Sequence, residues 1–171
     1  VLAKIIDHGR TIACGHGLGC HVCLLRPKST GEVTLNSNDA FDSPKIDPKF
    51  FSEREDMDIM IKGYRKMMQI MDAEPLRPFT RKVQDPVDIN SDADIEAAMR
   101  ARADTVYHPV GTCKMGSDDM SVVNHELKVH ALENVRVVDA SIMPTLVGGN
   151  TNAPTIMIGE KAADMIKSAW A

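Results

Sequence analysis

The chain has 171 residues, of which 43% are hydrophobic and 26% charged, and a net charge of −4. This length suffices for one domain with its own core or for part of a larger protein, and the lack of a basic run argues against a nucleic-acid partner. No apolar stretch is long enough to span a bilayer and no secretory leader is visible, so we expect a cytoplasmic protein without a membrane span.

The first third of the chain predicts short strands. Residues 1–6 are rich in apolar side chains and predict an edge strand, and residues 7–10 predict a turn after it. Residues 20–26 and 31–37 predict two more strands, joined into a hairpin by the residues between them. The polar residues 38–51 contain two prolines and predict an ordered loop.

Two helices are predicted next. Ser52-Glu53-Arg54-Glu55 has the pattern of a capping box, and the residues after it repeat apolar side chains at helical spacing, so we expect an amphipathic helix packed on a sheet. Residues 75–87 are rich in proline and predict an extended connection. Ser91 is expected to cap a second helix that ends near Ala103. One face of this helix would carry Ile95, Ala98, Met99 and Arg102.

The last part of the chain predicts strands followed by a helix. A short strand is expected near residues 127–129, and residues 135–138, which include three valines, predict a buried strand. A proline in the first turn then favours a helix over residues 154–168. The side chains expected to face inward are Ile156, Ala162, Ala163 and Ile166.

Four cysteines raise the question of a metal site. Cys20-x-x-Cys23 with His16 and His21 has the residue types of a zinc site, but no second ligand pair follows it. In a strand, the two thiols would also point to opposite faces. We therefore expect no metal, and we interpret the thiols as small core residues.

Two junctions near the end of the chain suggest a shared ligand site. The run Tyr107-His108-Pro109-Val110-Gly111-Thr112-Cys113-Lys114-Met115-Gly116 places a histidine at the start of a loop rich in Gly and Pro. The run Val137-Val138-Asp139-Ala140-Ser141-Ile142-Met143-Pro144 leads into Gly148-Gly149-Asn150-Thr151-Asn152-Ala153-Pro154. Ligand sites of open α/β sheets lie where strands end and helices begin.

These motifs resemble the C-terminal part of the glucose-methanol-choline (GMC) flavin oxidoreductases, in particular the choline-dehydrogenase-like alcohol dehydrogenases. The run from Cys20 to Gly31 is similar to the substrate-domain sheet of that family. The resemblance implies an α+β fold. Residues 1–107 would contribute an antiparallel substrate-domain sheet with packed helices, and residues 108–171 an active-site loop and the strand and helix that return to the FAD-binding domain.

The family's GxGxxG motif, which grips the adenine dinucleotide, is absent. Gly15-His16-Gly17-Leu18-Gly19 lacks the third glycine at the required offset. We therefore expect a fragment that by itself neither retains FAD nor oxidises an alcohol.

The resemblance also implies a reaction, the oxidation of a primary alcohol to an aldehyde with hydride transfer to N5 of FAD. His108 would be the base or hydrogen-bond acceptor, and Asn150 would orient the substrate oxygen. Imidazole suits proton transfer near neutral pH. The residues alone also allow His108 to be a loop histidine bonded to backbone and Asn150 to be an ordinary turn residue.

The same resemblance implies contacts to the cofactor. Asn152 and Ala153, at the start of the last helix, would offer amides to the N1–C2=O edge of the flavin, where a helix N-terminus stabilises negative charge. Asp139 and Ala140 would contact the ribityl–pyrophosphate part. Asp139 could alternatively be a turn or capping residue.

A rival hypothesis is a non-catalytic α+β binding module that keeps the fold. Aromatic residues make up only 4% of the chain, so a cage for a quaternary ammonium alcohol is not favoured, and we expect an aliphatic or aryl alcohol as substrate. No motif identifies the electron acceptor.

Overall fold

The computed structural model describes the backbone of residues 2–6 and 11–170 and the side chains of residues 16–170. Two-stranded antiparallel sheets and helices make up this part of the chain, so the predicted α+β class is confirmed. The chain forms two compact units, Val1–Leu24 with Phe51–Val106 and Leu25–Phe50 with Tyr107–Ala171. The functional division into residues 1–107 and 108–171 stays a prediction.

The first unit begins with a hairpin. Strand β1 (Leu2–Ile6) pairs antiparallel with β2 (Thr11–Gly15), which confirms a strand at the start of the chain. The turn predicted at residues 7–10 lies outside the described residues. No strand forms over residues 20–26, so the hairpin predicted between that segment and residues 31–37 is wrong.

Two helices form the described core of this unit. Helix α1 (Arg54–Met71) packs on helix α2 (Asp92–Arg102), so the core joins two helices where a helix on a sheet had been expected. Its buried side chains are Met57, Ile61, Ile95 and Met99. Of the other residues predicted to share a face of α2, Ala98 is half-buried, whereas Arg102 is exposed because its charged end remains in water.

The two helix starts differ in how well local sequence predicted them. Ser91 caps α2 as expected, with its Oγ accepting a hydrogen bond from the Asp94 N–H at 3.1 Å. Ser52 does not cap α1, because the capping position is occupied by Glu53, whose side chain makes no capping bond. A 3₁₀ helix at Glu74–Phe79 replaces the first part of the connection that was predicted to be extended.

Ion pairs link α1 to α2 at the surface. The Glu96 carboxylate accepts hydrogen bonds from Arg100 and Arg54, and these two guanidinium groups hold the pKa of that carboxyl below its ordinary value of 4.5. Arg65 donates to the Ile89 carbonyl at 2.7 Å and pairs with Asp92. These bonds lie at the surface, so each adds little stability.

The second unit contains a second hairpin, formed by β3 (Glu32–Thr34) and β4 (Lys45–Asp47). Strand β4 lies within the region predicted as a loop. A glycine permits the pairing, because a Cβ at Gly31 would come within 2.5 Å of the Pro48 Cα. The pairing of β3 with β4 therefore depends on how closely two distant backbone segments can approach each other, which the strand propensity of either segment does not reveal.

The core of the second unit lies against helix α3 (Asn152–Trp170). Its buried members are Val123, Leu127, Ile142, Met143, Ile158 and Ala162. Residues 156 and 166 were predicted to face inward with Ala162 and Ala163, but Ile156 is 59% exposed and Ile166 38%. The buried face instead follows Ile158 and Ala162, four residues apart, and Ala163 is half-buried beside them.

The buried strand predicted at residues 135–138 is not formed. Val135 is 43% exposed, and the segment makes one isolated bridge, between Lys128 and Arg136. Two backbone hydrogen bonds hold it to the segment near residues 127–129, which also forms only isolated bridges. In the described part of the chain, no helix has both the length and the apolar character needed to cross a bilayer.

Candidate active site

The loop that carries His108 has an unusual backbone. Tyr107, directly before the histidine, has φ = +62°, and Gly111, three residues after it, has φ = +88°. Non-glycine residues rarely adopt positive φ, and such conformations cluster at functional sites. His108 itself is half-buried.

Backbone hydrogen bonds attach this loop to the core of its unit. The Cys113 N–H donates to the Ser141 carbonyl at 3.0 Å, and the Met115 N–H donates to the Ile142 carbonyl at 2.8 Å. Ile142 is buried, and the Met143 carbonyl oxygen lies against Gly111. The loop is therefore held by a packed segment.

The histidine ring contacts the start of helix α3. His108 Nδ1 lies 2.8 Å from Thr151 Oγ1, although the two residues are 43 positions apart in sequence. Thr151 is only 6% exposed and directly follows Asn150, which is exposed. The two segments predicted to share a site thus meet within one compact unit, with His108 bonded to the neighbour of Asn150.

The first turn of α3 can accept an anionic group. The first helical hydrogen bond runs from the Thr155 N–H to the Thr151 carbonyl at 3.0 Å, so the amides of Asn152 and Ala153 have no partner within the helix. Both residues are exposed, and the first turn contains no acidic residue. Free amides, the helix dipole and the lack of a competing carboxylate fit the negatively charged edge of a reduced flavin.

Asp139 has a structural role. Its Oδ1 accepts a hydrogen bond from the Ser141 N–H at 2.7 Å and caps the 3₁₀ helix Ala140–Ile142. This is the capping role that the sequence left open for Asp139. The Asp139 side chain is exposed, and Ala140 packs partly against the core. A contact from either residue to a cofactor stays a prediction.

Sequence reasoning missed two residues near the candidate site. Thr151 belongs to the motif that runs from Gly148 to Pro154, but nothing in the sequence indicated the partner of its hydroxyl. Arg26 is the second, because a Cβ added at Gly148 would lie 3.1 Å from its Nε. The guanidinium therefore lies against the turn that leads to Asn150. The only sequence signal was the position of Arg26 in the run that resembles the family's substrate-domain sheet.

The remaining candidates from the sequence, the cysteines and a metal site, are not part of the contact between His108 and Thr151. Cys20 and Cys23 are exposed, so their prediction as core residues is wrong, because the strand expected to bury them does not form. Among the side chains described, no cluster of His, Cys, Asp or Glu has the makings of a metal site. A cleft of about 500 Å³ lies between Arg136 and Trp170 and includes none of the predicted site residues.

Comparisons with known proteins identify the family of the chain. The family model of the GMC oxidoreductase C-terminal region matches residues 27–159. The chain is 52% identical to an alcohol dehydrogenase [acceptor] of Pseudomonas putida, covering 94% of this chain and 29% of that protein. It is 45% identical to the mitochondrial choline dehydrogenase of Mus musculus, covering 96% of this chain and 28% of that one.

The fold of the chain is also similar to that of a solved structure. A variant of the formate oxidase of Aspergillus oryzae, studied for its FAD modification, aligns with a TM-score of 0.80 and 35% identity. The alignment covers 85% of this chain and 26% of that protein. The chain thus spans less than a third of the length of these relatives. On its sequence and its fold, the chain belongs to the GMC oxidoreductase family.

Proposed function

We propose that this chain forms the C-terminal part of an FAD-dependent enzyme that oxidises a primary alcohol to an aldehyde. The observation that carries the proposal is the contact between His108 and Thr151, which brings the histidine loop to the turn containing Asn150 and to the start of α3. Membership of the GMC family and the similarity to an alcohol dehydrogenase support the chemistry.

His108 is the residue that accepts the proton of the substrate hydroxyl. Its Nδ1 is engaged with Thr151, whereas Nε2 has no hydrogen bond to any described residue, so Nε2 is the atom that takes the proton. A histidine held by a buried hydroxyl keeps its orientation while it receives a proton from substrate. The half-buried ring retains a surface on which a small molecule can approach.

Asn150 donates a hydrogen bond from its side-chain amide to the substrate oxygen. The residue is exposed and directly precedes Thr151, the residue that His108 contacts. An amide donor stabilises negative charge that develops on the oxygen as the proton leaves.

The start of α3 is where the flavin ring binds. The unpaired amides of Asn152 and Ala153 hold its negative edge, and Asp139 and Ala140 contact the ribityl–pyrophosphate part. When bound, FAD supplies the acceptor for the hydride that leaves the alcohol carbon. The scarcity of aromatic side chains favours an aliphatic or aryl alcohol over a quaternary ammonium alcohol.

The test uses the complete gene product that contains this chain. We expect the purified protein to show flavin absorbance that survives dialysis and to reduce a dye when a primary alcohol is added. Asn150→Ala should lower kcat by about 10²–10³-fold, the usual effect of losing one donor to a developing oxyanion. The matched control is Asn90→Ala, at an exposed asparagine in the other unit, which should keep the wild-type rate. A protein without flavin, or one unresponsive to alcohols, would favour a non-catalytic module.

A further inference from the structure

Thr151 combines burial with a specific polar contact. Among the described residues, it and Asp56 are the buried polar or charged ones. The Thr151 carbonyl accepts two hydrogen bonds from Thr155, from the N–H at 3.0 Å and from Oγ1–H at 2.6 Å. Its side-chain oxygen lies 2.8 Å from His108 Nδ1.

The local sequence explains why this hydroxyl is available to the histidine. A threonine directly before a helix usually accepts a hydrogen bond from the amide two or three residues later. The residue three positions after Thr151 is Pro154, which has no N–H. One of the two usual capping donors is therefore missing, and the hydroxyl instead bonds to a side chain from a distant loop.

The contact controls which ring nitrogen can accept a proton. A neutral imidazole has one N–H and one lone pair, whereas a hydroxyl can both donate and accept. If Nδ1–H donates to Thr151 Oγ1, the lone pair is on Nε2 and His108 can accept a proton there. If the hydroxyl donates to Nδ1 instead, Nε2 carries the proton and His108 can act only as a donor.

We propose that Thr151 is a positioning residue that accepts the Nδ1–H of His108 and thereby keeps the lone pair on Nε2. The inference rests on the proposed function, since it concerns the histidine that takes the alcohol proton. The proton passes from the substrate hydroxyl to Nε2 and none passes to Thr151, whose hydroxyl keeps its own hydrogen. The imidazolium that results still donates from Nδ1 to Oγ1, and a hydrogen bond from a charged donor is stronger than one from a neutral donor.

The experiment compares three variants in the complete, flavin-loaded protein. Thr151→Val removes the hydroxyl at nearly constant volume, and Thr151→Ser restores it. Thr155→Val makes the same chemical change four residues later, at a hydroxyl bonded to backbone rather than to His108. The ring nitrogens are observed by NMR after labelling histidine with ¹⁵N, with the His108 signals assigned by their loss in His108→Gln.

We expect wild type, Thr151→Ser and Thr155→Val to carry the His108 proton on Nδ1. Thr151→Val should lose this preference and lower kcat by about 10–100-fold, as removal of a residue that orients a functional side chain commonly does. Thr151→Ser should recover most of the rate, and Thr155→Val should stay within about threefold of wild type because His108 keeps its partner.

The proposal is overturned by a proton on Nε2 in wild type, by wild-type behaviour of Thr151→Val, or by an equal loss in Thr155→Val. The first result is read in the wild-type protein, and His108→Gln serves only to assign the His108 signals, so poor folding of a Thr151 or Thr155 variant cannot obscure it. If the wild-type protein does not oxidise an alcohol, the proposed function fails, and if His108→Gln keeps full activity, the role of His108 as proton acceptor fails; in both cases the NMR signals still report on the contact. If His108→Gln is inactive and Thr151→Val is not, only the inference about Thr151 fails.

Discussion

Replacement of Gly111 by alanine tests whether the histidine loop depends on a backbone angle that glycine adopts readily and other residues do not. Gly111 has φ = +88°, where an L-amino acid with a side chain is disfavoured. A methyl group there would lie 3.5 Å from the Met143 carbonyl oxygen, an ordinary van der Waals contact, so crowding adds little. The cost therefore comes from the backbone and should be about 1–3 kcal/mol.

The loop is expected to respond by moving. The Gly111 carbonyl accepts a hydrogen bond from the Lys114 N–H at 3.2 Å, so relaxation of φ would disturb the loop close to His108. Displacement of a catalytic group by about 1 Å can reduce the rate by about 10²-fold. We therefore expect Gly111→Ala to lower both the thermal unfolding midpoint and kcat, as measured by circular dichroism and by dye reduction.

Gly159→Ala is the matched control. Gly159 lies within α3, and an added Cβ would meet no atom within 4 Å. Alanine is favoured over glycine inside helices, so this variant should be more stable than wild type by up to about 1 kcal/mol. A Gly111→Ala protein as stable and as active as wild type would refute the reasoning.

Two further predictions concern other parts of the fold. Gly31→Ala would place its Cβ against the carbonyl oxygen of Asp47, so β3 and β4 must separate, and we expect a lower unfolding midpoint and a loss of about 1–3 kcal/mol; an unchanged midpoint would contradict the strand pairing. The second concerns Glu96, whose pKa is lowered chiefly by the hydrogen bond from Arg100. This pairing stabilises the folded state above the ordinary carboxyl pKa of 4.5 and is lost as the pH falls through the lower, folded-state value. Glu96→Gln should therefore unfold at a lower temperature than wild type at pH 7, and the difference should shrink in acid; a difference independent of pH would contradict this.

Features set by neighbouring residues were predictable from sequence. Ser91 and the apolar spacing after it gave the start and the buried face of α2, because a cap and a helical period are local properties. The strand predicted at residues 20–26 does not form, because strand pairing depends on residues that are distant in sequence. Strand β3 pairs with β4 instead, and that choice depends on how closely distant backbones can approach at Gly31.

In the candidate site too, local motifs were predictable from sequence and contacts between distant residues were not. The motifs identified the histidine loop and the Asn150 turn, and the structure brings these segments together. The Thr151 hydroxyl was missed because its partner is 43 residues away and its orientation depends on a packed loop. For Asp139 the sequence left a cofactor contact and a capping role open, and its hydrogen bond from the Ser141 N–H shows the capping role.

The central claim is that His108 takes the alcohol proton beside a flavin bound at the start of α3. The most direct measurement is the rate of flavin reduction by a primary alcohol without oxygen, in wild type, His108→Gln and His130→Gln. His130 is the control, because its Nε2 lies 3.1 Å from the Gly116 carbonyl and it has no contact with Thr151. We predict that all three proteins bind flavin and that only His108→Gln is slower, by about 10²–10⁴-fold. Flavin reduction at the wild-type rate in a flavin-loaded His108→Gln protein would contradict the account.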